Sequence, residues 1–419
     1  MNGRRPTIRD VSRANRSRLL RALYFGGPSS RPRLSRDTGL SPATVANIVA
    51  QLSAEGIVLE AGLDETQVGR PSAILKVNPA YGSFVGVDLG ETQVQVELFD
   101  LTLAKTGAAV YPLPPAENEP GNVVALIVKG VRTVLEAACV EDRDVLGIGI
   151  GVPGIVERGA EVSVHVPAWG WQEAPLLAML AEHLTIPIFV DNGAKAMAQA
   201  ELWFGAGRGF HHLAVLLIGT GVGAGLFTDG GAYRGATNSG GEFGHTLIER
   251  GGRPCRCGRT GCLEAYVGAP GIIARLREAD PDSRLIDSEN DMRTIGALLD
   301  AAKAGEPGAA AVIEETAELL GDGIANLLNL FNPEIVVVGG WVGVLLGAYM
   351  LPTVKRVADS NALAAPRRAA QITLGQLRGD AVAMGAATLA LETFLADPAA
   401  SRVRPDETVA EKAVGEKLQ

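Results

Sequence analysis

The chain has 419 residues, of which 47% are hydrophobic, and a formal net charge of −9. Its length accommodates two or three domains, and its apolar content is sufficient for sizeable cores. No run approaches the roughly 20 uninterrupted apolar residues that span a bilayer, and the basic N-terminus lacks the apolar segment of a secretory signal. We therefore expect no association with a membrane.

The charge is unevenly distributed along the chain. Residues 1–40 carry ten arginines against two aspartates, a balance of +8, which leaves −17 for the remaining 379 residues. A basic segment joined to an acidic body is typical of a nucleic-acid-binding module attached to another domain. A flexible basic tail without a partner is the alternative, and the helical pattern described next argues against it.

The spacing of apolar residues in segment 1–79 predicts a helix-turn-helix. A helix is expected over 15–25 and a second over 31–38, and Ser41 caps a third. The side chains that this third helix buries follow helical spacing: Val45, Ile48, Val49 and Leu52. Two helices joined by a tight turn, the second exposing small polar residues, are typical of this DNA-binding motif.

Two strand-like runs, 57–60 and 73–77, predict a β-wing after the helices. The polar loop between them ends in Gly-Arg-Pro, which positions Arg70 to reach a phosphate or a narrow minor groove. A solvated helix face is the alternative for the polar residues of the third helix. The residues expected to contact double-stranded operator DNA are Ser41, Thr44, Asn47, Gln51 and Arg70.

A cysteine-rich stretch between Glu242 and Glu264 predicts a metal site. It supplies one imidazole and three sulfurs, a set suited to a closed tetrahedral zinc site of structural type. The ligands are His245, Cys255, Cys257 and Cys262. Unrelated thiols in a reducing cytosol are the alternative. Because only Cys139 remains, the pattern does not indicate a disulfide framework, and we expect the chain to be cytoplasmic.

Alternating strands and helices after residue 80 indicate an α/β body. Two glycine-rich hairpins, near 84–99 and 216–225, are of the type that presents backbone N–H groups to phosphates. Each hairpin alone is a weak signal, since most glycine turns are only turns. The pair predicts a duplicated fold that clasps a ligand between two lobes.

Several motifs follow one another along the body. They are Asp-x-Gly-x-Thr at 88–92, Gly-Val-Pro-Gly at 151–154, Gly-Thr-Gly-x-Gly at 219–223, Glu-x-Gly-His at 242–245 and Cys-x-Cys-Gly-x-x-Gly-Cys-x-Glu at 255–264. In this order they resemble the ROK family of repressors and sugar kinases, and the resemblance covers roughly residues 84–395. It implies a two-lobed, actin-like ATPase body over 80–398, behind a winged helix-turn-helix like that of the family's repressors. The polar tail 399–419 is expected to be disordered.

The resemblance also implies roles for individual residues. The sugar-binding positions of the family correspond to Asn192, Glu242, His245 and Glu264, and the same histidine binds zinc. The metal would thereby fix the ring that faces the sugar. The intact second hairpin retains a vestigial nucleotide-binding motif at Gly219, Thr220, Gly221 and Gly223.

Departures from the family's kinases indicate that the chain is not an enzyme. The position of the general base is Gly193, and general-base catalysis is typically worth about 10²–10⁴-fold. In the first hairpin Glu91 and Gln93 stand where the kinases have Gly and Lys. An added carboxylate and a lost lysine both disfavour a polyanion. We therefore expect sugar binding without phosphoryl transfer.

These observations predict a sugar-responsive transcriptional regulator, expected to be a repressor, that binds operator DNA as a homodimer or a dimer of dimers. A sugar kinase that also binds DNA is the second hypothesis. A constitutive DNA-binding protein whose body is only a dimerisation scaffold is the third. The tryptophans, Trp203 among them, are expected to serve packing or surface roles.

Overall fold

The computed structural model describes residues 7–64, 72–158, 162–377, 379 and 381–398. The N-terminal elements, together called the head, contain three helices and three short strands. They are α1 (Ile8–Gly26), β1 (Ser29–Ser30), α2 (Arg31–Thr38), α3 (Pro42–Ala54), β2 (Val58–Asp64) and β3 (Ser72–Val77). The order β1-β3-β2 is antiparallel throughout. These elements agree with those expected of a winged helix-turn-helix.

The helix boundaries of the head follow from its capping residues. Helix α1 begins seven residues before the predicted start because Thr7 and Asp10 form a capping box. Helix α2 ends at Gly39, which has a left-handed φ of 67°. Ser41 caps α3 by accepting a hydrogen bond of 3.2 Å from the Thr44 amide. The predicted DNA contact Arg70 lies outside the described residues.

The first half of the body forms a five-stranded sheet with the order β11-β7-β4-β5-β6. A small antiparallel sheet, β8-β9-β10, follows β7 and was not predicted. The elements are β4 (Ser83–Leu89), β5 (Gln93–Asp100), β6 (Lys105–Pro112), α4 (Pro120–Ala138), β7 (Val145–Val152), β8 (Ile155–Arg158), β9 (Val162–Val166), β10 (Trp171–Ala174), α5 (Leu176–Ala181) and β11 (Ile188–Asn192).

The second half of the body forms another five-stranded sheet, with the order β14-β13-β12-β15-β16. Its elements are α6 (Gly193–Phe204), β12 (Leu213–Ile218), β13 (Val222–Thr228), β14 (Gly231–Ala232), α7 (Glu264–Val267), α8 (Ala269–Ala279), α9 (Asp291–Lys303), α10 (Pro307–Phe331), β15 (Ile335–Gly339), α11 (Gly340–Asn361), α12 (Ala364–Ala369), β16 (Gln371–Leu374) and α13 (Ala381–Ala396). Over the part of the chain that is described, no helix combines the length and apolar character needed to cross a membrane.

Two helices, α6 and α13, lie between the sheets. Helix α13 packs against β4 and β7 of the first sheet, α6 packs against β12 and β13 of the second, and the two helices pack on each other. Strand β7 alternates branched residues with glycines, so its glycine face admits a helix backbone. A Cβ at Gly149 would lie 1.7 Å from the Ala386 carbonyl oxygen, and a Cβ at Gly385 would lie 1.9 Å from that of Ala196. Backbone therefore packs directly on backbone at this centre.

The head is not separate from this centre. One apolar cluster contains buried leucines of α1, including Leu19 and Leu23, together with Leu391 and Phe394 of α13. The Phe394 ring also contacts Tyr81, in the segment that joins the head to β4, at 5.8 Å between centroids. The head therefore rests on the C-terminal helix of the body.

We expect Gly385→Ala to destabilise the protein because the new methyl group meets backbone that cannot move aside. The expected loss is about 1–3 kcal/mol in the free energy of unfolding, measured by chemical denaturation. Gly296→Ala, inside α9, is the matched control, since a Cβ there meets nothing within 4 Å. The control should be neutral or stabilising by up to about 1 kcal/mol. Equal effects of the two changes would contradict the packing argument.

Candidate functional site

Four predicted ligands come together in the loop before α7. The ligand atoms of His245, Cys255, Cys257 and Cys262 all lie within 4.8 Å of one another. His245 Nδ1 is 3.7 Å from the sulfur of Cys255, and the sulfurs of Cys257 and Cys262 are 3.8 Å apart. All four cysteines of the chain are free thiols, and of the three in this cluster Cys255 and Cys262 are buried.

The separations of 3.7 and 3.8 Å match the edges of one tetrahedral site. With metal–sulfur and metal–nitrogen bonds of about 2.3 and 2.1 Å, sulfur–sulfur edges are about 3.8 Å and sulfur–nitrogen edges about 3.6 Å. The backbone holds the loop in this shape through hydrogen bonds from the Cys255 amide to Arg259 O at 2.7 Å and from the Gly258 amide to Cys255 O at 2.9 Å. The group is therefore compact enough to hold one metal ion, with the longest of its separations, at most 4.8 Å, closing slightly around the ion.

Two carboxylates, those of Glu242 and Glu264, lie near the cluster. Glu264 begins α7 and is buried, and its Oε2 accepts a hydrogen bond of 3.0 Å from the Val222 amide. Its Oε1 lies 3.6 Å from the Cys255 sulfur. Burial raises the pKa of Glu242, and the charge of Glu264 adds to the effect, whereas His245 opposes it. The structure thus brings together three of the four residues predicted to bind a sugar.

The fourth, Asn192, lies at the end of β11, directly before α6. Its Oδ1 caps α6 by accepting from the Ala194 and Lys195 amides at 2.8 and 3.2 Å, and its Nδ2 donates to Gly154 O at 2.8 Å. One Nδ2 hydrogen is left for another partner. The Lys195 ammonium donates to Asn238 O, and burial lowers the pKa of Lys195, while Asp191 and Glu242 oppose this shift.

A charge network around Asp191 was not predicted from the sequence. This side chain is 1% exposed and forms ion pairs with Arg234 and, at 3.2 Å, with Arg158. Its other oxygen accepts from the Asn192 amide at 2.9 Å and from Asn238 Nδ2 at 3.1 Å. Burial favours a higher pKa for Asp191, but the two arginines outweigh it and the pKa is lowered. An acid held in this way is a weak proton acceptor. Gly193, two residues further along, has no side chain that could accept a proton.

The turns of the two glycine-rich hairpins are connected by Arg256. This guanidinium forms a two-point ion pair with Glu91 in the first turn and donates to Thr220 O in the second at 3.1 Å. A Cβ at Gly221 would lie 3.4 Å from Glu91 Oε1. The sequence drew attention to Glu91 but not to its partner, which is 165 residues away and lies between two cysteine ligands. A phosphate placed between the turns would meet the Glu91 carboxylate and compete for Arg256.

The predicted DNA contacts on α3 lie near its exposed face. Asn47 and Gln51 are exposed, and Thr44 is half-buried. Ser41 is exposed but also caps the helix, and its hydroxyl lies 2.8 Å from that of Thr44. Ser41 and Thr44 therefore contribute to the start of the helix whatever else they contact.

The body consists of two sheets joined through paired helices, and the cluster of metal ligands lies beside the second sheet. This arrangement is that of an α/β protein with the actin-like sugar kinase fold. The chain belongs to the ROK family, whose family model matches residues 84–393.

Similarity to repressors extends over nearly the whole chain. This chain is 31% identical over 392 residues to the xylose repressor of Caldicellulosiruptor bescii, and the alignment covers 93% of this chain and 98% of that protein. A solved ROK family transcriptional regulator, described as a homolog of E. coli MLC protein, superposes with a TM-score of 0.76 at 25% identity, covering 92% of this chain and 97% of that one. The glucokinase of Halalkalibacterium halodurans is 33% identical but covers 72% of this chain and 93% of its own length. The comparison supports a transcriptional regulator.

We expect the purified chain to contain about one tetrahedrally bound metal ion, and Cys262→Ser to lose it because three ligands remain. Elemental analysis gives the stoichiometry, and thermal unfolding should show that Cys262→Ser is less stable. The matched control is Cys139→Ser, at an exposed cysteine outside the cluster. Metal retained in full by Cys262→Ser would exclude the four-ligand site.

Proposed function

We propose that this chain is a sugar-responsive transcriptional repressor that binds operator DNA through residues 1–79 and a monosaccharide through residues 80–398. The convergence of Glu242, His245 and Glu264 beside the metal cluster carries the proposal, because a recognition site is retained where the groups for phosphoryl transfer are not. DNA as a partner and free thiols both favour a cytoplasmic protein.

The proposed metal is zinc in a structural role. A nitrogen and three sulfurs in a tetrahedral arrangement suit this ion among the common divalent metals. His245, Cys255, Cys257 and Cys262 would hold it, and a bound ion would fix the orientation and tautomer of the His245 ring. With Nδ1 directed toward Cys255, the ring leaves Nε2 for a sugar hydroxyl.

The sugar would be held by hydrogen bonds to its hydroxyl groups. Each carboxylate of Glu242 and Glu264 can accept from two hydroxyls, although one oxygen of Glu264 already accepts from Val222. Asn192 can donate its remaining amide hydrogen. Glu264 and Asn192 are anchored by hydrogen bonds with the backbone before a ligand arrives, which reduces the entropy lost on binding.

DNA recognition is proposed for the exposed face of α3, with Asn47 and Gln51 contacting base edges, Ser41 and Thr44 at the start of the helix, and Arg70 on the wing. A homodimer or a dimer of dimers would present two heads to two half-sites. Sugar binding would change the angle between the two sheets and thereby alter operator affinity. Reciprocal coupling of the two affinities would make this change allosteric.

We expect a labelled DNA duplex, selected by the chain from a random pool, to bind with an affinity that changes when D-xylose, D-glucose or another member of a monosaccharide panel is added. Fluorescence anisotropy measures the DNA affinity, and thermal shift identifies the sugar that binds. Glu242→Gln should weaken sugar binding about tenfold or more, since a hydrogen bond to a charged group is worth about 1.5–3 kcal/mol. Its affinity for DNA without sugar should not change.

The matched control for this test is Glu289→Gln, at an exposed carboxylate before α9. It should leave both affinities unchanged. A duplex that binds equally with every sugar of the panel, sugar phosphates included, would reject the effector and favour a constitutive DNA-binding protein. Failure to select any DNA would reject the regulator.

A sugar kinase is the second candidate, favoured by the similarity to a glucokinase. We expect no release of ADP above background in a coupled assay with ATP and the same sugars, because position 193 has no side chain and Asp191 is paired with two arginines. Arg256 and Glu91 further disfavour phosphate binding. Phosphorylation by the wild-type chain that Asp191→Asn abolishes would establish the kinase instead.

A further inference from the structure

We propose that helix α6 transmits the state of the sugar site to the DNA-binding head through an aromatic contact between its C-terminal end and α1. The contact is formed by Trp203 and Phe204 of α6 with Phe25 and Arg21 of α1. This inference rests on the proposed function and assigns its regulation to particular side chains.

One end of α6 belongs to the sugar site. Asn192 caps the helix with its Oδ1, so a sugar that contacts the Asn192 amide pulls on the same side chain that holds the first turn. Gly193 begins the helix, and the Lys195 ammonium, in the first turn, donates to Asn238 O. A ligand at Asn192 therefore acts directly on the position of α6.

The other end of α6 contacts the head. The rings of Phe25 and Trp203 are 5.1 Å apart between centroids with an interplanar angle of 67°, and Phe25 lies 6.3 Å from Phe204. The Arg21 guanidinium carbon is 5.9 Å from the centroid of the Trp203 ring. Edge-to-face aromatic pairs are favourable beyond the contribution of the area that they bury. The contact is therefore strong enough to bias the position of the head.

Between its ends α6 is rigid. It has 12 residues, and its first ten are all buried. At about 1.5 Å per residue the helix spans about 18 Å. Because it packs on α13 and on the second sheet, its interior cannot bend to absorb a displacement. Movement at Asn192 must then appear at Trp203.

Helix α1 in turn sets the orientation of α3. Leu20 and Leu23 of α1 are buried in one cluster with Val49 and Leu52 of α3. A shift of α1 therefore carries the DNA-contacting face of α3 with it. The chain of contacts runs from Asn192 through one helix to α1 and from α1 to α3.

An ion pair between head and body, in addition to the apolar packing of α1 on α13, distinguishes this route from simple attachment of the head. Arg13 of α1 pairs with Asp397, just beyond α13, at 3.6 Å, and Arg13 is 57% exposed. This pair ties the head to the body without touching α6. Its removal should therefore leave the transmission of the sugar signal intact.

The experiment compares operator affinity with and without D-xylose or D-glucose, in separate titrations, using the DNA duplex selected by the wild-type chain. The wild-type ratio of affinities is expected in the range usual for allosteric coupling, about 5- to 150-fold. Trp203→Ala and Phe25→Ala should each bring the ratio to within about twofold of 1, a coupling free energy near zero. Calorimetry should show sugar affinity retained, and Trp203→Phe and Arg13→Ala should keep the wild-type ratio.

Trp203→Leu is a second variant for the case that Trp203→Ala fails to fold. It keeps a sizeable apolar side chain and removes the ring system. A folded Trp203→Leu or Phe25→Ala variant with the full wild-type ratio would overturn the inference and leave the proposed function standing. So would an Arg13→Ala variant that loses the ratio, because the coupling would then depend on attachment alone. A wild-type chain without DNA selection or without a sugar response would reject the proposed function and this inference with it.

Discussion

The structure depends on the direct backbone contact between α6 and α13. Glycine at position 385 lets the two helices approach until a methyl group would no longer fit between them, and the glycine face of β7 receives α13 in the same way. Both sheets of the body attach to this pair, and so does the head. Asn192 of the proposed sugar site caps the start of one of these helices, whereas Phe394 near the end of the other packs with the head. The proposed sugar site and the proposed DNA-binding head therefore both contact this pair of helices.

The metal cluster supplies order to the other side of the site. The loop that carries the metal ligands also carries two side chains that face the rest of the site. Arg256 lies between two ligands, and Glu264 follows the last one. Glu264 is fixed by the Val222 amide and Arg256 reaches across to Glu91 of the first sheet. A bound ion would thus hold a carboxylate of the sugar site and a connection between the two hairpin turns together. An ion pair links those turns.

The two acids Asp191 and Glu242 have pKa values that are shifted in opposite directions. Asp191 is the acid nearest in sequence to the general-base position of the family's kinases, but two arginines lower its pKa. Glu242 differs, because burial raises its pKa and its positive neighbours only partly offset the effect. The first acid serves the architecture of the site, and the second remains suited to hydrogen bonding with hydroxyl groups.

The features that depend on residues close together in the chain could be predicted from the sequence. The metal ligands fall within 18 residues, the caps of α2 and α3 are local, and the family motifs follow one another in order. Even there, the start of α1 was missed because its cap lies before the apolar pattern. Three contacts could be seen only in the folded structure: the pairing of Glu91 with Arg256, the network around Asp191 and the contact of Phe25 with Trp203. These partners are far apart in sequence, and an isolated charge or ring carries no local signal of what it will meet once the sheets and helices have packed.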